Sequence, residues 1–80
     1  MNPSRKAKIL WHCRRGMLEL DIMLLRFAKK RLDALSEADC CVFEALLTST
    51  DPELFSWLMG HEQPENTEFQ AIVKCIQATD

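Results

Sequence analysis

The sequence predicts an all-α fold, a compact five-helix bundle that forms a single domain over residues 1–80. The chain contains only two glycines, three prolines and no tyrosine, so it has few of the residues that punctuate many short strands. Apolar residues recur at helical spacing along most of its length. A hydrophobic content of 48% with 28% charged residues is typical of a folded domain and not of a disordered chain.

The first helix is predicted to begin at Pro3 or Ser4, residues that suit the start of a helix, and to end near Arg14. The expected buried face follows the spacing i, i+3, i+4, with two neighbours beside it: Ala7, Leu10 and Trp11, then Ile9 and Cys13. Arg14 and Arg15 lie at the C-terminal end of this helix, where cations complement the helix dipole.

The second helix is predicted from Met17 to about Arg31, and apolar residues occupy most of its circumference. Such a helix is expected to be the central and most buried one. The remaining polar strip carries Glu19, so this carboxylate is expected to point away from the core. Glu19 and Asp21 lie in the first turn, where negative charge complements the positive end of the helix dipole.

The third helix is predicted to begin at Ser36 and to end near Thr48, and the fourth begins at Asp51-Pro52. Asp51 is expected to cap the fourth helix, with Pro52 as its first residue and Gly60 as its stop. Their inward faces are read from the helical period: Cys40, Phe43, Leu46 and Leu47 in the third helix, and Leu54, Phe55 and Leu58 in the fourth.

The fifth helix is predicted to be capped by Asn66 or Thr67. Its apolar stripe has the spacing i, i+3, i+4, i+7: Phe69, Ile72, Val73 and Ile76. Trp57 and Met59, in and just after the fourth helix, are expected to pack against the rest of the protein. Short connections favour antiparallel neighbours in such a bundle.

Gly16 lies between the first two helices and allows two interpretations. It can be the C′ residue that ends the first helix in a tight turn. Alternatively, it can be the small centre of a partner-binding surface that presents Arg15 and Glu19, because a residue without Cβ lets another backbone approach closely. The sequence by itself leaves both interpretations open.

The net charge of −2 conceals an uneven distribution along the chain. Residues 1–31 carry nine Lys/Arg and two carboxylates, a balance of +7, whereas residues 32–80 carry one Lys and ten Asp/Glu, a balance of −9. This predicts either a polarised surface that orients a partner or two sets of solvated helix faces.

Four cysteines without a zinc-binding spacing, no signal peptide and no 18-residue apolar run predict free thiols in a reducing, cytoplasmic compartment without membrane insertion. The sequence contains neither a phosphate-binding loop nor a dinucleotide fingerprint. His12 and Cys13 are adjacent in a helix and point about 100° apart, so we expect no catalytic residues, no bound cofactor and no metal.

Nucleic-acid binding is the main alternative, as a small helical DNA-binding or transcription-regulating protein, because residues 5–15 are basic. Against it, Glu19 and Asp21 begin the helix that would enter a groove, and phosphates repel carboxylates. A protein-interaction module fits the residues better, since a two-signed charge patch around Gly16 can dock by charge complementarity.

Two segments carry a family resemblance. Residues 11–21 read Trp-His-Cys-Arg-Arg-Gly-Met-Leu-Glu-Leu-Asp and contain the pattern R-G-x-x-E from Arg15 to Glu19. Residues 51–59 read Asp-Pro-Glu-Leu-Phe-Ser-Trp-Leu-Met, similar to the pattern D-P-x-L-x-x-W-L. Together they resemble the succinate dehydrogenase FAD assembly factors, also called succinate dehydrogenase assembly factor 2, over nearly the whole chain.

This resemblance implies a five-helix bundle that binds the flavoprotein subunit of succinate dehydrogenase, and in bacteria that of fumarate reductase. It implies that the factor promotes covalent attachment of FAD to a histidine of that subunit by holding a favourable conformation, and that FAD is the partner's cofactor. Carried onto this chain, it assigns partner binding to Arg15, Gly16 and Glu19. Arg14 and Asp21 are expected neighbours, and Trp11 is expected to buttress the turn.

Overall fold

The computed structural model describes residues 2–80 and confirms an all-α fold. Within this range it contains five α-helices, one 3₁₀ turn and no β-strand. The helices are α1 (Pro3–His12), α2 (Leu18–Arg31), α3 (Glu37–Leu46), α4 (Asp51–Leu58) and α5 (Thr67–Ala78), and the 3₁₀ turn Leu32–Ala34 follows α2 directly. None of the helices in this range is long and apolar enough to cross a membrane.

The core lies where α5 packs against α2, α3 and α4. Phe27 and Phe43 are the largest fully buried side chains, and their ring centroids are 5.0 Å apart with tilted planes, a geometry that aromatic pairs prefer. The predicted stripes of α3 and α5 are confirmed as core faces. Their buried residues are Cys40, Phe43, Leu46, Leu47, Ile72, Val73 and Ile76.

Local capping explains where most helices begin and end. The Ser36 hydroxyl accepts the Asp39 N–H at 3.1 Å at the start of α3, and the Asn66 side chain accepts two N–H groups at the start of α5. Gly60 (φ +80°) ends α4 in a Schellman motif, with the His61 N–H donating to the Ser56 carbonyl. These caps and the stop at Gly60 confirm the predictions.

The start of α4 differs from the prediction by one residue. Thr50, not Asp51, is the N-cap, and it forms a capping box with Glu53. The Thr50 N–H donates to the Glu53 carboxylate at 3.0 Å, and the Glu53 N–H donates back to the Thr50 hydroxyl at 3.4 Å. Because Thr50 performs the capping, the Asp51 carboxylate is free for another partner.

The predicted buried face of α1 is confirmed for Ile9 and Cys13 and wrong for Ala7 and Trp11. Ile9 and Cys13 are the buried residues, whereas Ala7 is exposed and the Trp11 side chain is 70% exposed. Both pairs, Ile9–Cys13 and Ala7–Trp11, have the i, i+4 spacing of a helix face. Periodicity cannot choose between two such faces, because the choice depends on which one meets the core.

The prediction that α2 is buried on most sides is wrong for one face. Leu20, Leu24 and Phe27 are buried, but Leu18 is 75% and Ile22 is 49% exposed. The helix therefore has an apolar face in the core and a second apolar face in solvent.

Ion pairs within the protein join its basic N-terminal segment to its acidic remainder. Arg5 of α1 pairs with Glu37 and Glu44 of α3, and Lys6 pairs with Asp33 in the 3₁₀ turn at 2.9 Å. Each pair joins a cation from residues 1–31 to a carboxylate from residues 32–80. The basic N-terminal segment thus fixes α1 to the acidic remainder of the chain.

Acid should weaken α4 through Glu53. The backbone N–H of Thr50, followed by its hydroxyl, donates to this carboxylate and holds the pKa of Glu53 below its ordinary 4.5. A carboxyl group with a lowered pKa in the folded state adds stability above its unfolded pKa, and this stability is lost as the pH falls through the folded pKa. We therefore expect the melting temperature of the wild type to fall more steeply below about pH 4.5 than that of Glu53→Gln.

The amide of Glu53→Gln keeps an acceptor for the capping box without titrating. Circular dichroism melts between pH 6 and pH 3 measure the difference, with Glu62→Gln as a control on an exposed carboxylate outside the capping box. Identical pH profiles for the wild type and Glu53→Gln would contradict the prediction.

Candidate functional site

The connection between α1 and α2 is a short loop that requires glycine at one position. Gly16 has φ +83°, in the left-handed region that L-residues adopt only at a cost. Because α1 already ends at His12 with Cys13 as its C-cap, Gly16 is not the C′ residue of α1. It is exposed, and a Cβ placed on it would meet no atom within 4 Å. The loop therefore offers open space above Gly16.

Arg15 turns inward and joins this loop to the α3–α4 connection. Its Nε donates to the Asp51 carboxylate at 2.8 Å. Its Nη1 donates to the carbonyls of Leu47 at 2.8 Å and His12 at 3.1 Å, and its Nη2 donates to the carbonyl of Ser49 at 2.9 Å. Only 17% of the side chain is exposed. Only a guanidinium has enough N–H groups in one plane to make this set of bonds.

The acceptors of Arg15 are groups that the fold leaves without partners. Leu47 is the C-cap of α3, and the last carbonyls of a helix accept no hydrogen bond within that helix. Asp51 is available because Thr50 caps α4. The charged guanidinium thus donates hydrogen bonds to the C-terminal end of α3 and to the first residue of α4.

Asp21 holds the backbone of the same loop. Its Oδ1 accepts the Arg15 N–H at 2.7 Å, and the residue is half-buried in the first turn of α2. The side chain of Arg15 is fixed to α3 and α4, while its backbone is fixed to α2. Both constraints hold the conformation in which Gly16 and the start of α2 face solvent.

The six predicted partner-binding residues fall into two groups. Arg15 and Asp21 point into the protein, and the forked hydrogen bonds expected of Arg15 are made within its own chain. The other four residues are exposed: Trp11, Arg14, Gly16 and Glu19. Within residues 2–80 the Glu19 side chain has neither a hydrogen bond nor an ion pair. The exposure of Trp11 means that its side chain does not pack beneath the turn as expected.

Sequence reasoning missed the apolar character of this surface. Met17 and Leu18, inside the R-G-x-x-E segment, are exposed, although the second helix was expected to be the most buried one. The available signal was that α2 is apolar around most of its circumference, which is more than one core contact requires.

The thiol of the loop region is not a reactive nucleophile. Burial raises the pKa of the Cys13 thiol to about 12, so the thiol stays protonated and inert near neutral pH. His12 is exposed, and its Nδ1 lies 3.2 Å from the Lys8 carbonyl. In the part of the chain that the structure describes, no three His, Cys, Asp or Glu side chains come together as a metal site.

Comparisons with known proteins agree on one family. The family model Sdh5, described as "Flavinator of succinate dehydrogenase", matches residues 7–80. The FAD assembly factor SdhE of Colwellia psychrerythraea is 54% identical over 71 residues, which cover 89% of this chain and 78% of that protein. The FAD assembly factor SdhE of Legionella pneumophila (strain Paris) is 48% identical over 80 residues, the whole of both chains.

A solved structure is also similar. The solution structure of a protein titled "UPF0350 protein" superposes with a TM-score of 0.82 at 46% sequence identity, covering 98% of this chain and 83% of that one.

Removing the Asp51 carboxylate should destabilise the protein more than removing a comparable charge elsewhere. Asp51→Ala leaves the Arg15 Nε without its acceptor, and hydrogen bonds to charged groups contribute about 1.5–3 kcal/mol. We expect Asp51→Ala to lower the free energy of unfolding by about 1–3 kcal/mol in urea denaturation.

Asp39→Ala is the matched control, because Asp39 also lies in the first turn of its helix but makes no ion pair within residues 2–80. Its removal should cost only the dipole contribution of about 0.3–1 kcal/mol. Equal losses in the two variants would mean that the pair with Arg15 adds nothing to stability.

Proposed function

This chain belongs to the Sdh5 family, the flavinators of succinate dehydrogenase, and from that premise we propose that it is an assembly factor. In this proposal it binds the flavoprotein subunit of succinate dehydrogenase and promotes covalent attachment of FAD to that subunit. The structural observation that carries the proposal is the open space above Gly16 in a loop fixed by Arg15. A rigid, exposed turn suits docking, because little conformational freedom is lost on binding.

Each residue of the turn has a separate role in this proposal. Gly16 lets the partner's backbone approach closely, since a glycine adds no side chain at the contact. Glu19 accepts hydrogen bonds from the partner, and Arg14 donates them. Trp11 supplies apolar contact area. Arg15 and Asp21 act through the loop, because their polar groups bind within this chain.

The chemical step belongs to the partner. The thiol nearest the turn, Cys13, is buried and has a raised pKa, so this chain offers no reactive thiol there. We propose that FAD is bound by the flavoprotein, that this chain holds no cofactor stably, and that it acts by stabilising the flavoprotein conformation in which attachment proceeds. We also propose that the chain acts on the flavoprotein of fumarate reductase. We propose the cytoplasm as the compartment in which it works.

Covalent flavinylation tests the proposal directly. The succinate dehydrogenase flavoprotein, made without covalent flavin, is incubated with FAD and with or without this protein, and flavin fluorescence is read on a denaturing gel. We expect the fluorescent band to appear faster with the wild type than without it. Glu19→Ala should accelerate its appearance little or not at all. The stability of Glu19→Ala should change by no more than about 0.3–1 kcal/mol, since the residue is an exposed first-turn charge.

Glu68→Ala is the control for this experiment. Glu19 and Glu68 are both exposed and both the second residue of their helices, so their removal has the same effect on the helix dipole. Glu68→Ala should accelerate attachment as the wild type does. No acceleration by the wild type with either flavoprotein would disprove the proposed function.

The two glycines provide a second, matched test. Gly16 and Gly60 have φ of +83° and +80°, and a Cβ on either would meet no atom within 4 Å. An alanine at either position should therefore cost a similar backbone strain of about 1–2 kcal/mol. We expect only Gly16→Ala to weaken binding to the flavoprotein, because only there does the added methyl group separate the two surfaces.

Binding is measured by calorimetric titration, and stability by thermal melts of both variants. Equal binding by Gly16→Ala and Gly60→Ala would show that the partner does not approach Gly16 closely.

A further inference from the structure

The outer face of α2 carries a row of four residues at i, i+4 spacing: Leu18, Ile22, Arg26 and Lys30. Such residues are neighbours along a helix surface, and the row is about 18 Å long at a rise of 1.5 Å per residue. It lies opposite the buried residues Leu20, Leu24 and Phe27. The row begins beside Glu19, so it is continuous with the exposed turn.

The exposed large apolar side chains belong to one stretch of the described chain. In residues 2–80 they lie within positions 11–22: Trp11, Met17, Leu18 and Ile22. Other large apolar residues outside the buried set, such as Phe55, Trp57 and Phe69, pack partly against the core. Leu18 and Ile22 are neighbours on one helix face, and adjacent exposed apolar side chains mark an interaction site, whereas isolated exposed residues are ordinary.

Within residues 2–80, the basic end of the row also lacks hydrogen-bond and ion-pair partners. Arg26 is half-buried and its Nε is covered, but that N–H has no hydrogen-bond acceptor in the described chain. A covered donor without an acceptor is unfavourable. Arg5, Lys6 and Arg15, by contrast, are paired with carboxylates. A carboxylate brought by a partner would let the Arg26 side chain turn outward and pair.

We propose that this row, the α2 strip, is a second contact with the same flavoprotein subunit, extending the interface from the turn along α2. This inference rests on the proposed function. The complementary surface of the flavoprotein is apolar opposite Leu18 and Ile22 and bears carboxylates opposite Arg26 and Lys30. The apolar half supplies buried area, and the basic half fixes the direction in which the partner lies along α2.

Two variants separate the halves of the strip. Leu18→Gln/Ile22→Gln replaces exposed apolar groups with a good helix former, and Arg26→Gln removes the unpaired cation. Lys74→Gln on α5 is the control for loss of an exposed cation. Each protein is titrated into the flavoprotein lacking covalent flavin at several salt concentrations, and thermal melts are recorded.

We expect each strip variant to bind about tenfold more weakly or worse, while Lys74→Gln binds as the wild type does. Arg26→Gln should also reduce the salt dependence of the dissociation constant, because screening acts on the charge pair that it removes. Melting temperatures should stay close to that of the wild type, since the strip is outside the core.

The outcomes distinguish the α2 strip from the turn. If Glu19→Ala loses binding but both strip variants keep wild-type affinity, the proposed contact along the α2 strip is disproved and the proposed function stands. If the wild type itself does not bind the flavoprotein, both are disproved. If sedimentation shows a dimer that Leu18→Gln/Ile22→Gln converts to a monomer, a second copy of this chain covers the strip and the inference is overturned.

Discussion

The hydrogen bonds of Arg15 are the interaction on which the exposed turn depends. One guanidinium joins the end of α1, the C-terminal end of α3 and the first residue of α4. Its backbone N–H is held at the same time by Asp21 of α2. Four helices therefore contribute to the position of a single residue, and Gly16 follows it directly in the chain. Charge-assisted hydrogen bonds therefore fix this loop, in addition to the buried Cys13 at its start.

This arrangement divides the R-G-x-x-E segment between structure and recognition. Its arginine contacts its own chain, whereas its glycine and glutamate face solvent. A substitution of Arg15 changes the shape of the loop as well as any contact with a partner, so its effect on binding has two causes. A substitution of Glu19 removes an exposed carboxylate and leaves the loop contacts intact. Arg15 and Glu19 both belong to the R-G-x-x-E segment, but Arg15 holds the loop in place whereas Glu19 faces solvent.

Pairing between the two halves of the chain has a further consequence for function. Arg5, Lys6 and Arg15 are engaged with carboxylates of the acidic half. The N-terminal segment therefore presents less free positive charge than its composition suggests, and this weakens the case for a nucleic-acid interface. Within residues 2–80, the cations of α2 have no carboxylate partner and lie next to exposed apolar residues, and this combination suits a protein surface better than a phosphate backbone.

The sequence predicts the five helices, the cap at Ser36, a cap at Asn66 or Thr67, the stop at Gly60 and the core faces of α3 and α5. These features depend on residues within one or two turns of each other, so periodicity and capping rules describe them. It also predicted that Glu19 of α2 faces solvent, whereas it left two interpretations of Gly16 open. The tertiary structure alone decided which faces of α1 and α2 are buried, and that Arg15 points inward. Arg15 and Asp51 are 36 positions apart, and their contact exists only because α3 and α4 bring the two residues together. A spacing of T-x-x-E from Thr50 to Glu53 already indicated that Asp51 is not the cap, but only packing shows which cation it binds.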